Sequence, residues 1–283
     1  MKKTVAKSFA KINLSLDVLG KRDNGYHDVQ MVMQTVSVFD IVTVTQIKHA
    51  IELSTNLPYL PIDNNNLAYK AAEEFFKHTG IHAGVNINIL KRIPVGAGLA
   101  GGSSNASAVL KAMNTLFETK LSLKELCNIG VNIGADVPYC ILGGTRLAEG
   151  IGEKLSSLPR IPKCSIVLVK PSFSISTKTV YEKIDSCTDF ARPDTNAIIR
   201  GLHDGDLDTI ASGMGNVLEE VSLAEHPILS TLKNELTELG AIKAQMSGSG
   251  PTVFGIFRTY DEARHAKNEL WKKYKTVYIC SPV

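Results

Sequence analysis

The sequence predicts an α+β chain in two domains, and three features of its pattern carry that prediction. Ile12, Leu14, Leu16 and Val18 alternate with Asn13, Ser15 and Asp17, the period of a half-buried strand. From residue 165 onwards the pattern runs strand, helices, strand, strand, helix, strand, which is the split βαβ order. Between these regions Leu158-Pro-Arg-Ile-Pro162 reads as a boundary, giving domains of residues 1–160 and 161–283.

The first strand ends in a turn at Asp23-Asn24-Gly25, and a solvated surface is the plain alternative for its polar face, Lys11, Asn13, Ser15 and Asp17. Residues 36–38 and 41–47 suggest further strands of an antiparallel sheet. Leu67, Ala71, Ala72, Phe75 and Phe76 share one side of a helix over 66–76. Val85, Ile87 and Ile89 alternate with Asn86 and Asn88 as a strand. Val109, Leu110, Met113, Leu116 and Phe117 then fall at helical spacing. Ser122-Leu-Lys-Glu125 is a capping box opening a helix that ends near Gly134. Asp136-Val-Pro138 reads as the N-cap of a short helix, broken at Gly143-Gly144 before a strand over 145–148. Beyond the boundary come a strand over 165–170 and helical segments to about Gly240. Strands over 241–246 and 253–257, a helix over 260–274 and a strand over 276–280 complete a ferredoxin-like arrangement.

The 283 residues are 44% hydrophobic and 21% charged, ordinary for a soluble globular protein. The net charge is only +3, and no Lys/Arg cluster is interleaved with aromatics, so nucleic acid is not an expected partner. No apolar run reaches the roughly 18 residues of a membrane span, and no long apolar segment follows Met1-Lys-Lys-Thr as in a signal peptide. A cytoplasmic protein that does not bind membranes is expected. The cysteines, Cys127, Cys140, Cys164, Cys187 and Cys280, are odd in number, scattered and without C-x-x-C spacing, so they read as reduced packing residues.

Chemistry concentrates in one loop: Pro94, Val95, Gly96, Ala97, Gly98, Leu99, Ala100, Gly101, Gly102, Ser103 and Ser104. It lies between a strand and a helix, with Ser103 or Ser104 near the N-cap. Glycine lets a ligand approach the backbone, and free N–H groups at a helix start favour an anion, so the expected ligand is a phosphate. Gly96-x-Gly98-x-x-Gly101 matches the dinucleotide fingerprint, but no strand ending in an acidic residue follows. No lysine follows the glycines, so the Walker pattern fails as well. A glycine-rich structural turn is the plain alternative. Ser247-Gly248-Ser249-Gly250 repeats the same chemistry in the second domain.

Ala10-Lys-Ile-Asn13, the loop over 94–104 and Ser247-Gly-Ser-Gly250 stand in the order of the three motifs of the GHMP kinases, and the chain resembles that superfamily over essentially its whole length. Asp23-Asn-Gly-Tyr-His27 and Gly134-Ala-Asp-Val-Pro138 are similar to the branch that acts on a cytidine-diphosphate-linked methylerythritol. The resemblance implies a two-domain GHMP kinase fold, with a ribosomal-protein-S5-domain-2-like N-terminal domain and a ferredoxin-like C-terminal one. It also implies an ATP- and Mg²⁺-dependent kinase whose partner is that small molecule. A monomer or weak homodimer is expected.

By position, the resemblance makes Lys11 and Asp136 the catalytic pair, Asp136 accepting the substrate's hydroxyl proton and Lys11 keeping that carboxylate ionised. It makes residues 94–104 the ATP phosphate loop, with Ser103 or Ser104 as the protein ligand of Mg²⁺, and brings Asn66 and Lys91 to the adenosine side. Tyr26 and His27 belong to the cytidine pocket, with Thr177 and Tyr181 across the same base, and Asn13 faces the erythritol or diphosphate. Phe9 stands where the family usually has proline, outside the chemistry. Alternatives are a GHMP kinase of another small alcohol, which would not need Gly25-Tyr-His27, and a non-catalytic nucleotide-binding relative, which would not need Lys11 and Asp136.

Overall fold

A computed structural model describes residues 2–187 and 190–283. In chain order they form β1 (Lys3–Lys21), β2 (His27–Ile47), β3 (Ile51–Thr55), α1 (Leu67–Thr79), β4 (Gly84–Leu90), α2 (Gly101–Leu116), α3 (Leu123–Val131), α4 (Val137–Leu142), β5 (Thr145–Glu149) and β6 (Lys154–Ser157). There follow β7 (Ser165–Val169), α5 (Thr177–Ile184), α6 (Thr195–Asp204), α7 (Leu207–Gly213), β8 (Gly215–Asn216), α8 (Glu219–Glu225), α9 (Ile228–Glu238), β9 (Lys243–Met246), β10 (Val253–Phe257), α10 (Tyr260–Trp271) and β11 (Val277–Cys280). They gather into two compact units. One comprises Met1–Ala10, Val38–Ile93 and Ala100–Gly143; the other comprises Lys11–Ser37, Pro94–Leu99 and Gly144–Val283. β1 and β2 each contribute to both. The boundary expected at 160/161 falls in the link between β6 and β7.

In the first unit, residues 41–47 of β2 pair antiparallel with β4, and β3 runs parallel along the other side of β4. One face of these strands buries Val42, Val44 and Ile87 against Phe75 of α1 and Val109 and Met113 of α2. Each such large side chain contributes about 1.5–3 kcal/mol on leaving water. Local signals fix the helix ends. The Asn66 side chain accepts from the Ala68 N–H to start α1, and Gly80 stops it in the left-handed conformation. The Ser122–Glu125 capping box opens α3 as expected.

The second unit holds a four-stranded sheet in the order β11-β7-β10-β9, every pair antiparallel. That is the ferredoxin-like order the sequence predicts. β7 and β10 lie in the middle and are buried throughout, which is why they read as continuous apolar runs. A second capping box, Thr259 with Glu262, opens α10, which ends at Trp271 rather than Tyr274. The β5–β6 hairpin extends from residues 31–34 of β2.

The polar face of β1 is not solvated. Lys11, Asn13, Ser15 and Asp17 are all buried. Ser15 accepts from the Val32 N–H, Asp17 pairs with Arg192 at 2.6 Å, and the backbone carbonyls of Asn13 and Leu14 receive Gln245. Period-2 alternation marks two chemically different faces, not which of them meets water. Residues 36–38 and 41–47 belong to one 21-residue strand, because the Asp40 that interrupts the apolar pattern is itself buried and bonded. The short strands β3, β6 and β8 carried no signal.

Candidate active site

The phosphate loop is pegged down by its apolar residues and shaped by its glycines. Ala97 and Leu99 are buried, and the Leu99 carbonyl accepts from the Lys11 N–H at 3.2 Å. Gly98 has φ +72°, and a methyl group there would lie 2.1 Å from the Ser247 carbonyl oxygen. No side chain fits that approach. Ser247 Oγ donates to the Gly98 carbonyl at 3.0 Å. A methyl on Gly248 would come within 3.4 Å of the Lys11 ammonium and 3.6 Å of Asn13 Oδ1. Lys11 donates to that same Asn13 oxygen at 2.7 Å. Thus Lys11, Asn13, the first half of the phosphate loop and the second glycine–serine loop converge in one place. Asn216, which no motif singled out, holds the second loop by donating to the carbonyls of Met246 and Gly248.

The helix that follows starts earlier than expected. α2 begins at Gly101, so Ser103 and Ser104 lie inside its first turn rather than at the N-cap. The N-cap residue is Ala100, left-handed at φ +54°, and no side chain caps the helix. The Ser104 N–H already donates to the Ala100 carbonyl, which leaves the N–H groups of Gly101, Gly102 and Ser103 without intrahelical acceptors. A 16-residue helix thus presents its positive end with three N–H groups that point out of its own ladder.

The two serines differ in surroundings. Ser104 is buried; it accepts from Ser8 Oγ at 2.7 Å and donates to the Phe9 carbonyl at 2.6 Å. Ser103 is half-buried, and its hydroxyl lies 4.0 Å from where a Gly134 methyl would sit, two residues before Asp136. Asp136 stands at the N-cap position of α4, yet its side chain makes no cap hydrogen bond. Among the described residues, no group of three or more His, Cys, Asp or Glu forms a metal cage. Among the same residues, no helix is long and apolar enough to cross a membrane. Burial pushes the Cys164 thiol up to about 12, in keeping with a packing role.

Asn66 spends both ends of its amide locally, on Ala68 and on the Pro61 carbonyl. Lys91 is buried between Asp40 and Asn105 Oδ1, and Asp40 also accepts the backbone N–H groups of Arg92 and Ile93. Tyr26 is 57% exposed while the neighbouring His27 is 8% exposed. His27 lies 5.1 Å from the Tyr181 ring and bonds Asp185. Thr177 shares a 2.8 Å hydroxyl contact with Ser249.

Comparison with known proteins shows the family and the fold. The model of the GHMP kinases N terminal domain matches residues 66–144, and that of the GHMP kinases C terminal domain matches 198–276. The 4-diphosphocytidyl-2-C-methyl-D-erythritol kinase of Clostridium kluyveri is 47% identical over 277 residues, covering 98% of this chain and 99% of the relative. The chain belongs to the 4-diphosphocytidyl-2-C-methyl-D-erythritol kinase family. A member from Alkaliphilus metalliredigens is 47% identical over 99% of this chain and 96% of its own length. A crystal structure of 4-(cytidine 5'-diphospho)-2C-methyl-D-erythritol kinase matches with TM-score 0.85 and 30% identity, covering 99% of both chains. Homoserine kinase from Cytophaga hutchinsonii shares the fold at TM-score 0.81 and 19% identity, covering 99% of this chain and 94% of its own, so the fold alone does not choose the alcohol.

Proposed function

We propose that this kinase transfers the γ-phosphoryl group of ATP to the 2-hydroxyl of 4-diphosphocytidyl-2-C-methyl-D-erythritol, giving ADP and the 2-phosphate, a step of the non-mevalonate isoprenoid precursor pathway. The observation that carries the phosphate chemistry is the start of α2, which no side chain caps, with three N–H groups outside the helix's own ladder behind a left-handed Ala100. Family membership at 47% identity over nearly the whole chain carries the substrate.

In this reading the N–H groups of Gly101, Gly102 and Ser103 hold the phosphates, and the second loop, Ser247 to Gly250, holds the first against Lys11 and Asn13. Asp136 takes the proton of the attacking hydroxyl as its oxygen bonds to the γ-phosphorus and the bond to the departing ADP breaks. Lys11 supplies positive charge that favours the developing alkoxide. Positioning and electrostatics of this kind do most of the catalysis in phosphoryl transfer. The oxygen donors suit a hard cation that keeps most of its waters, so Mg²⁺ would be held by Ser103 and the phosphates, neutralising their charge; Ser104 is already engaged. Tyr26, His27, Thr177 and Tyr181 take the cytidyl group, and Asn66 and Lys91 border the adenosine. The protein acts in the cytoplasm as a monomer or weak homodimer, with domains of residues 1–160 and 161–283.

The test is ADP release from Mg²⁺–ATP with the cytidyl substrate, mevalonate and homoserine in parallel. Turnover confined to the cytidyl substrate is expected. Turnover with mevalonate or homoserine instead contradicts the assignment, and none by a folded, ATP-binding protein leaves a non-catalytic relative.

A further inference from the structure

β9 lies at the edge of its sheet, and the backbone of its last residue, Met246, is paired by side chains instead of a strand. Its N–H donates to Glu219 Oε1 at 2.6 Å, and its carbonyl accepts from Asn216 Nδ2 at 2.9 Å. The other Glu219 oxygen takes the Lys233 ammonium at 2.5 Å. Asn216 is buried, and the same Nδ2 donates at 2.8 Å to the carbonyl of Gly248, inside the second glycine–serine loop. Its Oδ1 accepts from the Leu218 N–H at 3.0 Å. Two carbonyls at one end of the amide and an N–H at the other decide which end is the nitrogen. In a trans peptide the carbonyl and the next N–H point in opposite directions, so drawing the Gly248 carbonyl toward Asn216 turns the Ser249 N–H away from it. Asn216 itself sits on β8, opposite Leu16 of β1, the strand that carries Lys11 and Asn13. The Gln245 amide ties β9 to that strand a second time, through the carbonyls of Asn13 and Leu14.

We propose that Asn216 is a positioning residue for phosphoryl transfer, supported by Glu219: the two hold the second loop so that Gly248 stays against Lys11 and Asn13. The proposal rests on the proposed function, which gives Lys11 its part in the transfer. A methyl group on Gly248 would lie 3.4 Å from the Lys11 ammonium and 3.6 Å from Asn13 Oδ1, so the backbone there cannot shift toward them without displacing both. A displacement of about 1 Å in a group that orients reactants costs about 10²-fold in rate. The Gly98 side of the loop has its own anchor in the Ser247 hydroxyl, so loss of Asn216 falls on Gly248 first. Glu219 acts at one remove, through the Met246 N–H just before the loop, and its removal weighs less.

The test uses wild type, Asn216→Asp, Glu219→Ala, Glu219→Gln and Lys11→Met. Aspartate has the size of asparagine and keeps the acceptor for Leu218, but it cannot donate to either carbonyl. If a thermal melt shows Asn216→Asp unfolded, Asn216→Ser replaces it, neutral and too short to hold both carbonyls. Single-turnover transfer at saturating Mg²⁺–ATP and cytidyl substrate is expected to slow by about 10- to 100-fold in Asn216→Asp, while KM for ATP stays within about threefold. Glu219→Ala is expected to slow it by up to about tenfold, and Glu219→Gln to recover most of that, because the amide oxygen still accepts from Met246. In the Lys11→Met background the Asn216→Asp factor is expected to shrink to about twofold or less, as for residues that act as a unit. A folded Asn216 variant with unchanged transfer, even if it melts lower, overturns the proposal, and so does the full factor persisting beside Lys11→Met. Nitrogen NMR of glycine-labelled protein reads the loop without turnover: the Gly248 signal is expected to be single in wild type and broadened or doubled in Asn216→Asp, and the same signal in both overturns the proposal. Failure of wild type to turn over the cytidyl substrate overturns the proposed function instead, and the Gly248 signal still decides this one.

Discussion

Gly98 and Ser247, 149 residues apart, are in direct contact: the Ser247 hydroxyl donates to the Gly98 carbonyl at 3.0 Å, and the Ser247 carbonyl oxygen occupies the space beside Gly98 where a side chain would begin. The first half of the phosphate loop takes its shape from the second loop, and the second is held in turn by Asn216.

Gly98→Ala therefore adds a methyl into a carbonyl oxygen at a φ of +72°. The left-handed backbone costs about 1 kcal/mol and the overlap forces a loop shift costing about 1–3 kcal/mol more. The expected result is a KM for ATP raised about tenfold or more, with a melting temperature lower by a few degrees. Steady-state kinetics and calorimetry check both.

Ser103→Ala and Ser104→Ala separate by readout. Ser104 is a buried link between Ser8 and the Phe9 carbonyl, so its removal is expected to destabilise by about 1–3 kcal/mol through the unpaired partners. Ser103 makes no comparable buried bond, so its removal is expected to leave stability within about 0.5 kcal/mol and to raise the Mg²⁺ concentration needed for activity. Denaturant unfolding and magnesium titration check the pair.

Lys91→Met strips the partner from Asp40, which is fully buried. Leaving one charge of a buried pair uncompensated is expected to cost about 3–5 kcal/mol. Asp40→Asn in the same chain is expected to recover part of that loss, since the amide oxygen still accepts from Arg92 and Ile93 without a stranded charge. Equal or additive losses in a double-mutant cycle contradict the coupling.

What the sequence disclosed follows from how local each signal is. Glycine density, capping boxes and the order of the C-terminal strands are written over a few residues, and they placed α2, α3, α10 and the ferredoxin-like sheet. The burial of the polar face of β1 was not legible locally, because partners such as Arg192 for Asp17 and Gln245 for the Asn13 carbonyl lie far along the chain. Asp185 lies 158 residues from His27, and no motif or periodicity links them. Asp40 looked like a break in a strand because nothing nearby announced its partner, Lys91. The N-cap placement of Ser103 and Ser104 failed because serine preference points to a cap, whereas this helix starts at a left-handed alanine with no side-chain cap.

The most direct measurement is single-turnover phosphoryl transfer from Mg²⁺–ATP to the cytidyl substrate in wild type and Asp136→Asn, with both ligand affinities measured by calorimetry. If Asp136 is the base, the variant keeps both affinities and loses about 10²–10⁴ in the rate of transfer. A variant that transfers the phosphoryl group nearly as fast as wild type, with both ligands bound, contradicts that role.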